Sequence, residues 1–204
     1  MNKKEELQKV KEDMEADKNL PLISKPTDVV PGDGNSNAEV VFIGEAAGYH
    51  ESVLRKPFVG QAGKLLDKGL VAIKVNREDV YITNMVKTRP PNNRDPLPEE
   101  LAAYGKYLDR EMEIIRPKFV VTLGRFSMGK FLPGVKISSV HGKRFMINYE
   151  GNNLIVIPMY HPAAALRNGA IMTEFKNDFM KLPQFFKEAK DQESQELQKQ
   201  KAEK

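Results

Sequence analysis

Short apolar runs alternate along the chain with longer stretches in which apolar residues recur every three or four positions. Four of the runs have the length of β-strands: Glu39–Ile43, Val80–Thr83, Phe119–Leu123 and Leu154–Ile157. Continuous apolar runs are typical of strands that are covered on both faces. Helical spacing occurs between the runs, at Ala62–Val75 and Pro98–Arg116. This alternation predicts a three-layer α/β/α sandwich with a central, mostly parallel, four-stranded sheet.

Both ends of the chain are more polar. One face of a charged N-terminal helix, within residues 1–19, carries Leu7, Val10 and Met14. Phe145–Val156 has the pattern of a β-hairpin, and a last helix is predicted from Thr173 to about Ala189. We expect residues 1–189 to form a single domain and residues 190–204 to form a polar, disordered tail.

Composition excludes several classes of protein. No run of eighteen apolar residues occurs, and the alternating Lys and Glu of the N-terminus lack the apolar core of a signal peptide. We therefore expect a cytoplasmic protein without a transmembrane helix. The absence of cysteine excludes disulfides, thiolate metal sites and a cysteine nucleophile. The net charge of +4 suits a polyanionic partner, although many proteins without one carry a similar charge.

Chemically active residue types follow each of the four predicted strands. The first strand ends in Gly44-Glu-Ala-Ala-Gly48 and the second in Thr83-Asn84, while the third reaches Gly124-Arg125 and the fourth reaches His161. In an open α/β sheet, ligands bind at the carboxyl ends of the parallel strands. The sequence therefore predicts a site that brings carboxylates, an amide, an imidazole and cations together. Spacing alone does not name its reaction.

Five segments follow one another in order along these strand ends: Gly44-Glu-Ala-Ala-Gly48, Arg55-Lys-Pro-Phe-Val-Gly-Gln-Ala-Gly63, Tyr81-Ile-Thr-Asn-Met-Val-Lys87, Arg89-Pro-Pro-Asn-Asn-Arg94 and His161-Pro-Ala163. Together they resemble the motifs of the uracil-DNA glycosylase superfamily, and the most similar branch is family 4. The resemblance extends from about Val30 to Asn168. It implies a monofunctional enzyme of base excision repair that flips uracil out of single- or double-stranded DNA and hydrolyses its N-glycosidic bond. DNA is then the expected partner, and we expect a monomer.

By this resemblance, three side chains surround the extruded base. Phe58 stacks on the ring. Asn84 identifies uracil by accepting a hydrogen bond from N3–H and donating one to O4. His161 donates a hydrogen bond to O2 while negative charge collects on the departing base. Ala46 occupies the position at which several other branches carry an aspartate or asparagine.

Glu45 and Glu51 are the remaining candidates for positioning the water or stabilising the electron-poor sugar, and the motifs do not tell which of them acts. The resemblance places Glu51 beside the pocket, held by Asn93. Cations that meet phosphates and an apolar side chain that fills the gap left by a flipped base are also expected. The residues predicted to contact DNA are Arg89, Arg94, Lys143, Leu166 and Arg167, with Lys87 and Arg144 as weaker candidates.

The chain departs from family 4 at the cofactor site and in two loops. The family's 4Fe-4S cluster is held by four cysteines, and the matching positions here are near Asp17 and Leu20 and at Thr88 and Tyr104. We therefore predict that the cluster is absent, that no other cofactor or metal is bound, and that Tyr104 fills part of the cluster volume. Small residues replace a loop proline and two bulky wedge residues at Ala47, Ala164 and Ala165.

Three other functions remain open from the residues. The departures at Ala47 and Ala163–Ala165 are compatible with a protein that binds DNA or uracil with little catalysis. The same pocket could instead accept another modified or deaminated base. A nucleotide-binding protein with a phosphate loop at Gly44–Gly48 is disfavoured, because neither Gly-Lys-Ser/Thr nor a full G-x-G-x-x-G pattern is present.

Overall fold

The computed structural model describes the backbone of residues 1–202 and the side chains of residues 1–191, 195 and 198. Within this part of the chain, six strands form one sheet: β1 (Asp33–Gly34), β2 (Val40–Ala46), β3 (Tyr81–Val86), β4 (Phe119–Leu123), β5 (Phe145–Tyr149) and β6 (Asn152–Met159). Their order across the sheet is β1-β3-β2-β4-β6-β5.

The four central strands, β3, β2, β4 and β6, are parallel and correspond to the four predicted runs. The sheet has six strands rather than four because an antiparallel strand is added at each edge. One of these, β5, belongs to the predicted hairpin with β6. The other, β1, has two residues, Asp33 and Gly34, in a turn-rich stretch with no apolar pattern that could reveal a strand.

Helices cover both faces of the sheet. Those in the described part of the chain are α1 (Lys3–Ala16), α2 (Tyr49–Leu54), α3 (Gln61–Ala72), α4 (Pro98–Ile115), α5 (Arg125–Phe131), α6 (Ile137–Val140), α7 (Pro162–Arg167) and α8 (Gly169–Ala202). Helices α3, α7 and α8 pack on one face, whereas α4 and α5 pack on the other, with α1 outside α4. The predicted three-layer α/β/α architecture is confirmed.

Alternate residues of β2 supply the two halves of the core. Phe42 faces α3 and α8, and its ring stacks on Phe179 with 6.1 Å between the centroids. Val41 and Ile43 face α4 on the opposite side. Each such side chain contributes about 1.5–3 kcal/mol when it leaves water. The parallel strands are therefore apolar on both faces, which explains the continuous runs in the sequence.

The terminal helices show one agreement and one difference. Helix α1 buries Val10 and Met14, the face that the sequence predicted. Helix α8 continues to Ala202, so residues 190–202 are helical where a disordered tail was predicted. Glu, Gln, Lys and Ala are strong helix formers, and their propensity accounts for the extension without an apolar face. Residues 203 and 204 of the predicted tail lie outside the described residues. None of the helices described combines the length and apolar character needed to cross a membrane.

Candidate active site

A cavity of about 500 Å³ opens at the carboxyl ends of the four parallel strands. Ligands of open α/β sheets bind at this edge. The predicted site residues that line the cavity are Glu45, Ala46, Glu51, Phe58, Asn84, Asn93, Arg94, His161 and Arg167. The other predicted DNA contacts, Arg89, Lys143 and Leu166, do not belong to the lining described.

Phe58 and Asn84 converge on Gly44 at the base of the cavity. A Cβ atom on Gly44 would lie 2.3 Å from Asn84 Oδ1 and 2.5 Å from Phe58 Cζ, so only glycine lets both side chains reach this point. Phe58 has a φ of +52°, a left-handed conformation that costs free energy in a bulky residue and concentrates at functional sites. Its ring centroid lies 5.8 Å from that of His161. An aromatic ring, an amide and an imidazole therefore share one cavity.

The Asn84 amide carries an unsatisfied acceptor. The residue is 2% exposed, and its Oδ1 atom has no hydrogen-bond partner among the described residues. Leaving a buried polar group without a partner costs about 1–3 kcal/mol. Such groups are rare in folded proteins. The amide is therefore positioned to accept a hydrogen bond from a ligand in the cavity.

His161 is held as a neutral imidazole. It caps helix α7, and its Nδ1 atom accepts a hydrogen bond from the backbone N–H of Ala163 at 3.1 Å. Because Nδ1 is the acceptor, the ring proton of the neutral form is on Nε2. Burial lowers the pKa of His161 to about 4, the positive charge of Arg167 adds to this effect, and Glu51 opposes it. At neutral pH the ring can donate one hydrogen bond through Nε2.

Glu51 ties helix α2 to the loop that carries Phe58. Its Oε1 atom accepts hydrogen bonds from the backbone N–H groups of Val59 at 3.0 Å and Gly60 at 2.8 Å. Gly60 is the N-cap of α3, so the carboxylate also faces the positive end of that helix. The predicted contact with Asn93 is not formed in the described structure. The turn at Pro91–Asn93 instead brings Asn93 Oδ1 to Arg89 Nε, at 2.7 Å.

Glu45 also lines the cavity and lies beside the start of α5. Its Oε1 atom accepts a hydrogen bond from the backbone N–H of Phe126 at 3.1 Å. Gly124 has a φ of +107°, and a Cβ atom there would lie 2.3 Å from the same oxygen. Burial raises the pKa of Glu45, while the Phe126 N–H and the charge of Arg125 counteract this. The carboxyl group is therefore fixed by the turn that follows β4.

Three of the predicted DNA contacts lie at the cavity: Arg94 and Arg167 line it, and Arg89 bonds to a residue that lines it. The Arg89 guanidinium bonds to Asn93 and lies over the ring of Tyr49. Arg94 makes a bidentate pair with Glu100, with N–O distances of 2.6 and 2.9 Å. Arg167 is exposed and bonds to the carbonyl of Ala163 through Nε at 3.1 Å. Arg89 and Arg167 keep donors for a ligand, whereas the Arg94 fork is already engaged.

Of the other residues predicted to contact DNA, one is buried and cannot do so. Lys143 is exposed and donates to the carbonyl of Ser139, and Leu166 is 47% exposed. Lys87, a weaker candidate for DNA contact, is fully buried and pairs with Glu111 at 2.5 Å. Its position on the inner side of the strand end directs it towards α4, so it cannot meet a phosphate at the surface. Burial lowers the pKa of Lys87, and Glu111 opposes that effect.

Three polar residues of the cavity were given no role in the sequence analysis: Asp95, Arg125 and Tyr160. Asp95 pairs with Arg125 at 2.6 Å, and both line the cavity together with Tyr160. Arg125 follows the third predicted strand and Tyr160 follows the fourth, but the five motifs include neither of them. Asp95 follows no strand, and only the folded loop brings it to Arg125.

The positions expected to match the cluster ligands do not fit an iron–sulfur cluster. The chain has no cysteine, so no thiolate can bind iron. Tyr104 is fully buried there; its hydroxyl donates to the carbonyl of Pro21 at 2.7 Å and lies 3.0 Å from Thr88 Oγ1. The ring packs with Leu20 and Val86. Burial raises the pKa of Tyr104 to about 12, so the phenol stays protonated. Packing and hydrogen bonds join α4 to the preceding loops.

A second group of titratable residues lies on the α8 side of the protein. His141, Glu174 and Asp178 place one potential ligand atom each within 4.8 Å of one another. Asp178 is fully buried, and its two oxygens already contact His141 Nδ1 at 2.7 Å and Lys181 Nζ at 2.9 Å. Both carboxylate oxygens are thus already engaged by side chains of this protein, so the group is better explained as a structural ion-pair cluster than as a metal site.

The fold and the cavity together define an α/β sandwich with a candidate ligand site, lined by aromatic and polar side chains, at the carboxyl ends of its parallel strands. The chain belongs to the uracil DNA glycosylase superfamily, whose family model matches residues 31–189. The resemblance drawn from the five motifs is therefore confirmed.

Relatives with the type-4 name are similar over most of the chain. The type-4 uracil-DNA glycosylase of Archaeoglobus fulgidus is 48% identical over 161 residues, which are 76% of this chain and 81% of that protein. The type-4 uracil-DNA glycosylase of Sulfurisphaera tokodaii is 44% identical over 184 residues, covering 86% and 83%. That of Thermotoga maritima is 45% identical over 148 residues, covering 72% and 77%.

Proposed function

We propose that this protein is a monofunctional uracil-DNA glycosylase, which hydrolyses the N-glycosidic bond of a uracil flipped out of DNA in the first step of base excision repair. The unpartnered Oδ1 of the buried Asn84 carries the proposal, because it lies beside Phe58 and in the same cavity as His161. Family membership and the type-4 name of the relatives support the same reaction.

Asn84 and Phe58 would select the base. The Asn84 amide can accept a hydrogen bond from uracil N3–H and donate one to O4, whereas cytosine presents the reverse pattern. A buried amide that meets the wrong pattern is left unpaired, and such sites discriminate by about 10⁴-fold or more. Stacking on Phe58 would return about 1–3 kcal/mol of the free energy spent on flipping.

His161 would stabilise the leaving group. As the bond between N1 and C1′ breaks, the bonding electrons collect on the uracil ring and on O2. A neutral imidazole with its proton on Nε2 can donate a hydrogen bond to that oxygen and remain neutral. One preorganised donor of this kind typically contributes about 10²–10³ in rate.

Glu51 is the better placed of the two candidate glutamates. Both of its backbone hydrogen bonds use Oε1, so Oε2 remains available to a water or to the electron-poor sugar. Water adds its oxygen to C1′, the uracil anion leaves, and the proton released from the water is taken up by the base through solvent. Glu45 would hold the Gly124 turn in shape and act as the second electrostatic contributor.

Cations around the cavity mouth would bind the DNA backbone. Arg89 and Arg167 keep free donors, and Lys143 is exposed farther away, so each could neutralise one phosphate. Arg94 would act mainly by fixing the loop through Glu100, since a phosphate contact would break a bidentate pair. Leu166 is exposed enough to fill space next to a flipped nucleotide.

The test is base release from labelled single- and double-stranded oligonucleotides that each carry one uracil, followed by alkali. We expect breaks only at uracil. Asn84→Asp and His161→Ala should each reduce the rate by at least about 10²-fold while the circular dichroism spectrum is unchanged. Val71→Ala, an exposed position outside the cavity, is the matched control. Normal turnover by either site variant contradicts the assignment. Tight DNA binding without breaks would indicate a binding protein, and breaks at another base would indicate a different target.

A further inference from the structure

The outer side of helix α2 is an exposed apolar surface, which we call the α2 patch. It consists of Tyr49, Val53 and Leu54, which are 56%, 62% and 61% exposed and belong to one six-residue helix. Among the described side chains, the other large exposed apolar residues, such as Val71 and Met146, stand singly along the chain. Exposed apolar residues that cluster mark contact surfaces, whereas scattered ones are ordinary.

The α2 patch is fixed beside the mouth of the cavity. Helix α2 starts directly after Gly48, and both Gly48 and Glu51 line the cavity. Glu51 anchors the helix by accepting hydrogen bonds from the backbone N–H groups of Val59 and Gly60 at the start of α3. Tyr49 and Val53 are four residues apart, so they share one side of the helix. The patch is therefore a rigid continuation of the cavity rim.

A planar cation covers one part of the Tyr49 ring. The guanidinium carbon of Arg89 lies 5.1 Å from the ring centroid, and the ring of His50 meets Tyr49 edge-on at 5.5 Å. Arg89 is held in turn by Asn93, which lines the cavity. An aromatic ring together with an arginine is the combination on which bases of single-stranded nucleic acids stack.

We propose that Tyr49, backed by Arg89, stacks on the nucleobase next to the extruded uracil in single-stranded DNA, with Val53 and Leu54 extending the contact. This rests on the proposed function and adds a second base-binding position outside the cavity. Flipping one nucleotide removes a stacking partner from its neighbour, and Tyr49 replaces that partner. On the α7 side, Ala163 and Ala164 also line the cavity, and their small side chains offer no ring for stacking.

The test combines a change in the protein with a change in the DNA. Dissociation constants are measured by fluorescence anisotropy for labelled single strands with one uracil, in a His161→Ala background that slows turnover by at least about 10²-fold. In a series of strands, the base on either side of the uracil is removed singly by an abasic nucleotide. Tyr49→Ala should weaken binding of the intact strand by at least about fivefold. It should have no effect on the strand that lacks the contacted base.

Two control variants show whether a loss of DNA binding is specific to the ring of Tyr49. Tyr49→Phe keeps the ring and should bind like the parent, and Val71→Ala should also leave binding unchanged. If Tyr49→Ala weakens DNA binding equally on every strand, the residue supports the fold and does not stack on a base. If Tyr49→Ala leaves the binding of every strand unchanged, the α2 patch contacts another partner. Either result overturns the proposal. A wild-type protein that binds the strand but releases no uracil refutes the glycosylase function, while this binding comparison remains readable.

Discussion

Replacing Lys87 by methionine tests whether this lysine stabilises the fold or binds DNA. Methionine has a similar length but no charge, so Glu111 is left as a carboxylate without its cation in a site where it is 2% exposed. Breaking a buried ion pair by removing one partner costs about 3–5 kcal/mol. Tyr81 and Thr83 still donate to Glu111, at 3.2 and 3.1 Å. We therefore expect a loss near the lower limit, about 3 kcal/mol.

Urea unfolding followed by circular dichroism measures this loss. With a slope of about 2 kcal/mol per molar urea, the midpoint should fall by about 1.5 M. An unpaired buried carboxyl group has a raised pKa in the folded state, so the folded protein takes up a proton more readily than the unfolded chain. The loss should therefore be larger at pH 8 than at pH 5. Adding Glu111→Gln to Lys87→Met should restore most of the stability.

DNA binding provides the second half of the comparison. Lys87→Met should leave the dependence of DNA affinity on salt unchanged, whereas Arg167→Gln should reduce the slope by about 0.7–0.9. A loss of stability below about 1 kcal/mol would refute the interpretation of the Lys87–Glu111 pair. A reduced salt slope in the folded Lys87→Met variant would show that the lysine reaches a phosphate after all.

Two further predictions concern the pH dependence of stability and the packing of Tyr104 at a position that matches a cluster ligand in family 4. The folded-state pKa of His161 is about 4, below its ordinary value of 6.5, so protons favour the unfolded chain and stability should fall as pH drops from about 6.5 to about 4. The effect is at most about 3 kcal/mol and should shrink in His161→Gln when unfolding is measured at pH 7 and pH 4. Tyr104→Phe should lose about 1–3 kcal/mol because the carbonyl of Pro21 loses its donor, and Tyr104→Ala about 3–5 kcal/mol.

Controls for these two predictions are direct. If His161→Gln shows the same pH dependence as the parent protein, other groups account for it. Exposed Val71→Ala is the reference for the Tyr104 series, in which uracil release is measured at a temperature where all variants are folded. Iron and sulfide should change neither the spectrum nor the stability. A gain of stability on adding them would contradict the account of Tyr104.

Much of the fold was predictable from the sequence, because burial in the tertiary structure requires apolar residues at the positions where the local pattern shows them. Strands buried on both faces must be apolar throughout, so the four parallel strands are visible as runs. Polar residues at the ends of those runs had to meet at one edge of the sheet, which brought Asn84 and His161 together. The short edge strand β1 could not be recognised, since two residues in a polar turn carry no pattern.

The apolar pattern of the sequence determined the architecture and the edge of the sheet at which the cavity lies, because both depend on burial. The choice of Phe58, Asn84 and His161 came instead from the resemblance of the five motifs to a known family. Only the tertiary structure decided which polar groups are engaged. Lys87 and Arg89 are two residues apart, yet one is buried against Glu111 and the other lies beside the cavity. Glu51 bonds to Val59 and Gly60 rather than to Asn93. Charge partners are chosen by distances of a few ångströms between segments that are remote in sequence, and no local pattern encodes them.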